Sequence, residues 1–259
     1  MDDASKPQPI TGAMSMGLNP TTFASSLFFG TGRYLTLDDP ANQDVQSWYG
    51  LIDAGAVIAG RNALLRRKIV NDTTSFGTHV RAFEFAVDGD MAGKFGWFVD
   101  WVKPPFPPGT PEGERVVSDT IVTFTNELGP VLVAASIIPN AAACGSGGRG
   151  FINALDPYTG ASFANTQGTD LNGNATIISN GYFDVNENRN MHDDIIPDGG
   201  GDPAPAPIGS VDGGVGMPST PILLGPVLVC SGSSGETCDM SVGGTPVQGR
   251  ISWREILGD

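Results

Sequence analysis

Apolar residues in this chain come in short runs that stop before a helical period is established. The runs are "SSLFFGTG" (25–32), "SWYGLIDA" (47–54), "VRAFEFAV" (80–87), "GKFGWFVDWV" (93–102) and "ERVVSDTIVTF" (114–124). They continue with "GPVLVAASII" (129–138), "GFINALD" (150–156), "ATIISNGYFDV" (175–185), "GPVLVCSG" (225–232) and "GRISWREIL" (249–257). Each is bounded by Gly, Pro, Asn or Asp, which is how short strands joined by turns read. The best helix candidate is the basic segment "RNALLRRK" (61–68). "GPVLVAAS" (129–136) and "GPVLVCSG" (225–232) are near copies, which echoes a repeat built from small sheets. "KPPFPPGTP" (103–111) is excluded as a central strand because proline donates no ladder hydrogen bond. Residues 197–218, rich in Pro, Gly and Asp, read as a long exposed loop. The pattern predicts an all-β protein.

Composition sharpens this. The chain has 36 Gly and 20 Pro in 259 residues, many turn formers in a chain long enough to bury a core. Its formal net charge of −14 argues against a nucleic-acid partner, whose phosphates need a basic surface. Low charge with abundant Gly, Asn, Thr and Ser suits an exported bacterial β-protein. The start, "MDDASKPQPITG", lacks the apolar stretch of a signal peptide, and no run approaches a membrane span. Of three cysteines, Cys230 and Cys238 flank "SGSSGET" and are expected to form a local disulfide, leaving the pairing of Cys144 open.

Candidate chemistry is sparse. "GSGGRG" (145–150) fits a dinucleotide fingerprint only in spelling, since a strand-like run rather than a helix follows it. "GDMAGKF" (89–95) is one residue short of a P-loop. His79 and His192 are the only histidines, and nothing in the sequence pairs either with a serine or cysteine nucleophile, so no catalytic residues are assigned. "DVNENRNMHDD" (184–194) places Asp184, Asn186, Asn188 and Asn190 at alternate positions, as calcium loops do. Against that reading, Arg189 stands where an EF-hand needs glycine, and Ile195 where it needs a bidentate glutamate. The loop reads as a solvated turn first and a metal site second.

Seven blocks carry a family resemblance. "QPIT" (8–11), "LFFGTGRYLTLDD" (27–39), "QSWYGLID" (46–53), "GWFVD" (96–100), "GERVVSD" (113–119), "IIPNAAACGSGGRGFINALDPYTG" (137–160) and "GRISWREI" (249–256) occur in this order. Together they resemble the C-terminal domain of PilY1-type type IV pilus assembly proteins. The resemblance implies a modified β-propeller, of which the chain looks like the latter part, in about four or five sheets. It implies a non-enzymatic role at the pilus tip and outer membrane: assembling pili, opposing retraction and mediating adhesion to host or abiotic surfaces. Minor pilins, the pilus machinery and the upstream part of the same protein are the implied partners. The family's aspartate-rich calcium loop, followed by a "GDLxGNLW"-like strand, is expected upstream of Met1, so no cofactor is expected in this chain.

"FFGTGRYL" (28–35) is then a strand ending in a tight turn. Gly30 and Gly32 supply positive φ or close approach between sheets, and Phe28 and Phe29 face opposite sides. Gly30, Gly32, Tyr34, Tyr49, Gly50, Trp97, Asp156, Gly160 and Trp253 are expected to be scaffold. Rival functions are a quinoprotein-like enzyme, which the four irregularly spaced tryptophans disfavour, and an extracellular binding propeller unrelated to pili.

Overall fold

A computed structural model describes residues 1–125, 127–140, 147–163, 166–169, 175–178, 180–196 and 206–243. The strands are β1 Ser15–Leu18, β2 Ser25–Gly30, β3 Ser47–Ile52, β4 Leu65–Arg67, β5 Ile69–Ser75, β6 Thr78–Phe83 and β7 Gly96–Asp100. They continue with β8 Val102–Lys103, β9 Thr110–Pro111, β10 Thr120–Thr125, β11 Gly129–Pro139, β12 Gly148–Leu155, β13 Thr166–Thr169 and β14 Ala175–Ile178. The last are β15 Phe183–Asp184, β16 Ile195–Ile196, β17 Ala206–Pro207, β18 Ser210–Val211, β19 Ile222–Leu224, β20 Val227–Ser231 and β21 Thr237–Val242. Helix among the described residues is limited to two short 3₁₀ turns, Asp39–Ala41 and Arg61–Ala63.

Three sheets dominate. A five-stranded sheet runs β1-β2-β3-β7-β4, a six-stranded sheet β10-β11-β12-β18-β6-β5, and a four-stranded sheet β15-β21-β20-β19. The pairs β8–β9, β13–β14 and β16–β17 make two-stranded ribbons. The period-2 alternation of side chains decides how the large sheets stack. On β11, Val131, Val133 and Ala135 enter one core with Leu228, Cys230 and Val242 of the four-stranded sheet. Leu132 and Ala134 enter another with Phe28, Trp48, Trp97 and Val99 of the five-stranded sheet. The six-stranded sheet is therefore a middle layer buried on both faces, which is why "PVLVAASII" reads as a continuous apolar run. The five-stranded sheet carries a third cluster, Phe29, Tyr49, Leu64 and Phe98, on its other face.

Phe28 and Phe29 thus separate onto opposite faces, as alternation requires. The near copies occupy equivalent places. Each is the inner strand of an antiparallel triplet, β10-β11-β12 or β19-β20-β21, entered through a glycine at positive φ, 73° at Gly129 and 63° at Gly225. The prolines of 103–111 lie largely in the connection of the β8–β9 ribbon, outside the large sheets.

Two expectations are corrected. The 61–68 segment is not a helix: after a 3₁₀ turn, Leu65–Arg67 pairs in parallel with β7. Tertiary pairing overrides weak local propensity there, and Arg67 is buried against the Thr159 carbonyl and Asp90. The 197–218 segment is not one exposed loop. Residues 197–205 lie outside the described residues, but Ile208, Ser210, Val211 and Val215 are buried. Ser210–Val211 bridges β12 to β6 inside the six-stranded sheet. Its turn-rich composition reflects a brief entry into the sheet between two bends.

Candidate functional site

The most concentrated polar chemistry is a network in the six-stranded sheet. Arg81 of β6 is fully buried. Its Nε donates to Asp72 Oδ2 at 2.9 Å, and its Nη1 donates to both Glu114 oxygens at 2.7 and 2.9 Å. The guanidinium lies 3.7 Å over the Phe151 ring centroid. His79 Nε2 sits 2.6 Å from Asp72 Oδ1. Ser136 Oγ donates to Glu114 at 2.5 Å, Asn153 Nδ2 donates to Ser136 Oγ, and Ser210 Oγ donates to Asn153 Oδ1 at 2.6 Å. Burial raises the Asp72 carboxyl, but the His79 hydrogen bond and the Arg81 charge outweigh it and hold it below the usual range. Ser136 and Ser210 are fully buried and committed to neighbours. The network braces β5, β6, β11, β12 and β18 together. Sequence reading missed it, although an arginine inside the strand "VRAFEF" on a buried face was the available signal.

The "GTG" turn proves equally committed. Gly32 has φ +137°, and its N–H donates to Pro9 O at 2.7 Å. Gly30 has no room for a Cβ, which would land on Val116. Arg115 packs against Gly32 and donates to the carbonyls of Arg33, Asp39, Asn42 and Gly113. The cation beside the turn is therefore used on backbone carbonyls. Asp39 accepts from the Leu35 and Thr36 amides at 2.8 Å each and from Arg33 at 2.7 Å. The Leu35 amide foremost, with Thr36 and Arg33, holds its carboxyl far below the usual range against the pull of burial.

The other expected scaffold residues divide. The Trp97 indole is enclosed between Gly50 and Gly160, either of which would drive a Cβ into the ring, and its Nε1 donates to Pro157 O at 2.8 Å. Asp156 Oδ1 accepts the Tyr158 and Thr159 amides at 2.8 Å, shaping the turn that ends at Gly160 (φ +67°). Tyr49 stacks on Phe29 and donates to Gln8 Oε1 at 2.5 Å. Tyr34 does not fit the expectation. It is 38% exposed on the loop wrapping Arg115, because it is the backbone of that loop that is held. Trp253 and Cys144 lie outside the described residues, as do the first two residues of "GSGGRG", whose last three open β12. Cys230 and Cys238 are disulfide-bonded, directly opposite each other on β20 and β21 with Cα atoms 5.1 Å apart.

The 184–194 segment folds as a tight polar loop. Asp184 Oδ2 accepts the Arg189 amide at 2.9 Å, and Asp194 Oδ1 accepts the Asn186 amide at 3.3 Å. Asn186 and Asn188 donate their side-chain amides to Asp193 at 3.1 and 2.8 Å. The amides of Asn188, Asn190 and His192 donate to the side chains of Asn186, Asn188 and Asn190. Asp184 and Asp194 are 4% and 0% exposed, and burial, with the Asp184 and Asp193 charges, pushes the Asp194 carboxyl up to about 6. The loop borders a cleft of about 480 Å³ lined by Asp184, Glu187, Arg189, Asp212 and Asp239. Among the described residues no three His, Cys, Asp or Glu side chains converge as a metal-binding group, and no helix is long and apolar enough to cross a membrane.

No family model matches the chain. A type IV pilus biogenesis factor PilY1 homolog from Xylella fastidiosa is 30% identical over 97% of the chain, which spans 18% of that relative. The type IV pilus biogenesis factor PilY1 of Pseudomonas aeruginosa is 29% identical over 62% of the chain and 15% of its own length. The chain thus spans less than a fifth of these curated relatives. Among solved structures, the Pseudomonas aeruginosa PilY1 C-terminal domain superposes with TM-score 0.65 at 21% identity, over 94% of this chain and 46% of that one. The fold is similar to that β-propeller domain, although the described strands form three separate open sheets and three ribbons rather than one closed sheet.

Proposed function

Starting from a chain of the PilY1 C-terminal type, we propose that it serves, without catalysis, as the C-terminal part of a secreted type IV pilus biogenesis factor. It acts at the pilus tip and outer membrane, promotes assembly, opposes retraction and contributes to surface adhesion. The observation that carries this reading is the similarity to a pilus biogenesis factor along 97% of the chain. The site geometry agrees with a scaffold: the buried Arg81 and Arg115 clusters spend their donors on neighbouring strands and loops. Minor pilins and the remainder of the same protein are the partners. The exposed apolar strands β1 (Met16, Leu18) and β19 (Ile222, Leu224) offer surfaces for them.

The test is an in-frame deletion of the coding region for residues 1–259 in the native host. Loss of surface pili and of surface attachment is expected, with pili restored when retraction is also disabled. Normal piliation and attachment in the deletion strain would refute the proposal.

A further inference from the structure

We propose that the polar cleft between the N-terminal segment and the 33–46 loop binds an extended peptide, through a main-chain amide on Gln46 and a carboxylate on Arg33. The cleft measures about 410 Å³, and Pro7, Pro9, Arg33, Asp39, Asp44 and Gln46 line it. That volume lies in the range of small-ligand sites and has room for a short stretch of peptide. The inference concerns this cleft alone and does not rest on the pilus-factor reading.

Gln46 carries the inference. It is 6% exposed, and its Oε1 has no hydrogen-bond partner. A carbonyl oxygen taken out of water without a donor is costly, and such atoms are rare in folded proteins. Gln8, in the same wall, shows the ordinary outcome. Its Nε2 donates to Val45 O at 3.0 Å and to Ser47 Oγ at 2.7 Å, and its Oε1 accepts from Tyr49. The terminal torsion of a glutamine is soft, so an incoming N–H can draw the Gln46 oxygen into the cleft while the strand stays in place.

The rest of the wall sets the rest of the ligand. The Arg33 side chain is 54% exposed and meets Asp39 through Nε. Its Nη groups remain for a ligand carboxylate, which a guanidinium fork suits. Arg115 adds a second, buried cation, with its donors spent on backbone carbonyls. Asp39 and Asp44 balance these two charges, so the cleft does not favour a bare anion. Pro7 and Pro9 offer apolar ring surface and no N–H. A peptide meets all of these demands: an N–H for Gln46, a carboxylate for Arg33 and apolar atoms between them.

The test titrates acetyl-triglycine, which carries both amides and a carboxylate, into the isotope-labelled 259-residue chain, read by nuclear magnetic resonance. Saturable binding with a Kd of about 1 mM is expected, the strength that so small a ligand reaches. The signals that move are those of the Gln46 side-chain amide and the Arg33 guanidinium. Acetyl-triglycinamide, which lacks the carboxylate, is expected to bind about threefold to tenfold more weakly. Gln46→Leu weakens acetyl-triglycine about tenfold, and in Arg33→Met the peptide and its amide bind alike. Two results in the parent chain would overturn the proposal without recourse to a variant: no saturable binding up to about 20 mM, or shifts centred away from Gln46 and Arg33. Acetate that binds as tightly as the peptide would show a simple anion site and overturn it too. So would unchanged affinity in a folded Gln46→Leu chain.

Discussion

Replacing Arg81 by methionine leaves Asp72 and Glu114 as buried carboxylates with no cation between them. Breaking such a pair from one side costs about 3–5 kcal/mol, far more than an exposed pair. Urea unfolding of Arg81→Met measures this, and a loss below about 1 kcal/mol would mean that water already screens the cluster. Asp39 gives a pH signature of definite sign. Its folded-state value lies below the unfolded value near 3.9, so its stabilisation is present above that value and is lost as pH falls through the folded one. Asp39→Asn is expected to lower the melting temperature at neutral pH and to flatten its decline in acid. Parallel acid profiles for parent and variant would remove Asp39 as a contributor.

The elements are held in place by close approaches that only glycine permits. Gly160→Ala introduces a Cβ into the Trp97 indole and also strains a residue at φ +67°. Gly55 has nearly the same φ, +66°, but open space around it. Gly55→Ala is expected to cost about 1–2 kcal/mol from left-handed strain alone, and Gly160→Ala about 1–3 kcal/mol more from overpacking. Equal losses in the two variants would show that Trp97 simply moves aside. In the β20–β21 hairpin, the Cys230–Cys238 bond closes a short loop. Paired serine substitution is expected to cost about 2–3 kcal/mol in denaturant unfolding, chiefly by freeing the unfolded chain.

At the scale of the whole molecule, apolar side chains stand exposed on two edge strands. Met16 and Leu18 of β1 are 72% and 54% exposed, and Ile222 and Leu224 of β19 are both 62% exposed. Edge strands that are apolar and uncharged invite pairing with another chain. The isolated chain is therefore expected to self-associate in size-exclusion chromatography with light scattering. Lysine at Met16 and Leu18, or at Ile222 and Leu224, should shift it toward monomer. A monomeric parent chain with one sharp unfolding transition would show that these edges are protected without a partner.

Sequence alone determined the class of this protein, because alternation and turn chemistry are local. Short apolar runs between Gly, Pro and Asn placed most strands, and the spacing of Cys230 and Cys238 anticipated their pairing. The order of seven motifs pointed to the pilus-factor resemblance. What depended on distant contacts was not legible. A basic segment after a 3₁₀ turn became a strand at 65–67 because β7 offered a parallel partner. The turn-rich stretch around Ser210 entered the central sheet because β12 and β6 left a gap for it. Arg81 and Arg115 gave no local sign of which carboxylates or carbonyls they serve, since apart from the Gly113 carbonyl those partners lie 9–82 residues away. The 184–194 loop shows both limits at once. Its alternating Asp and Asn residues are visible in sequence, but only the tertiary structure buries Asp184 and Asp194 at its two ends and ties their carboxylates to the loop's own amides.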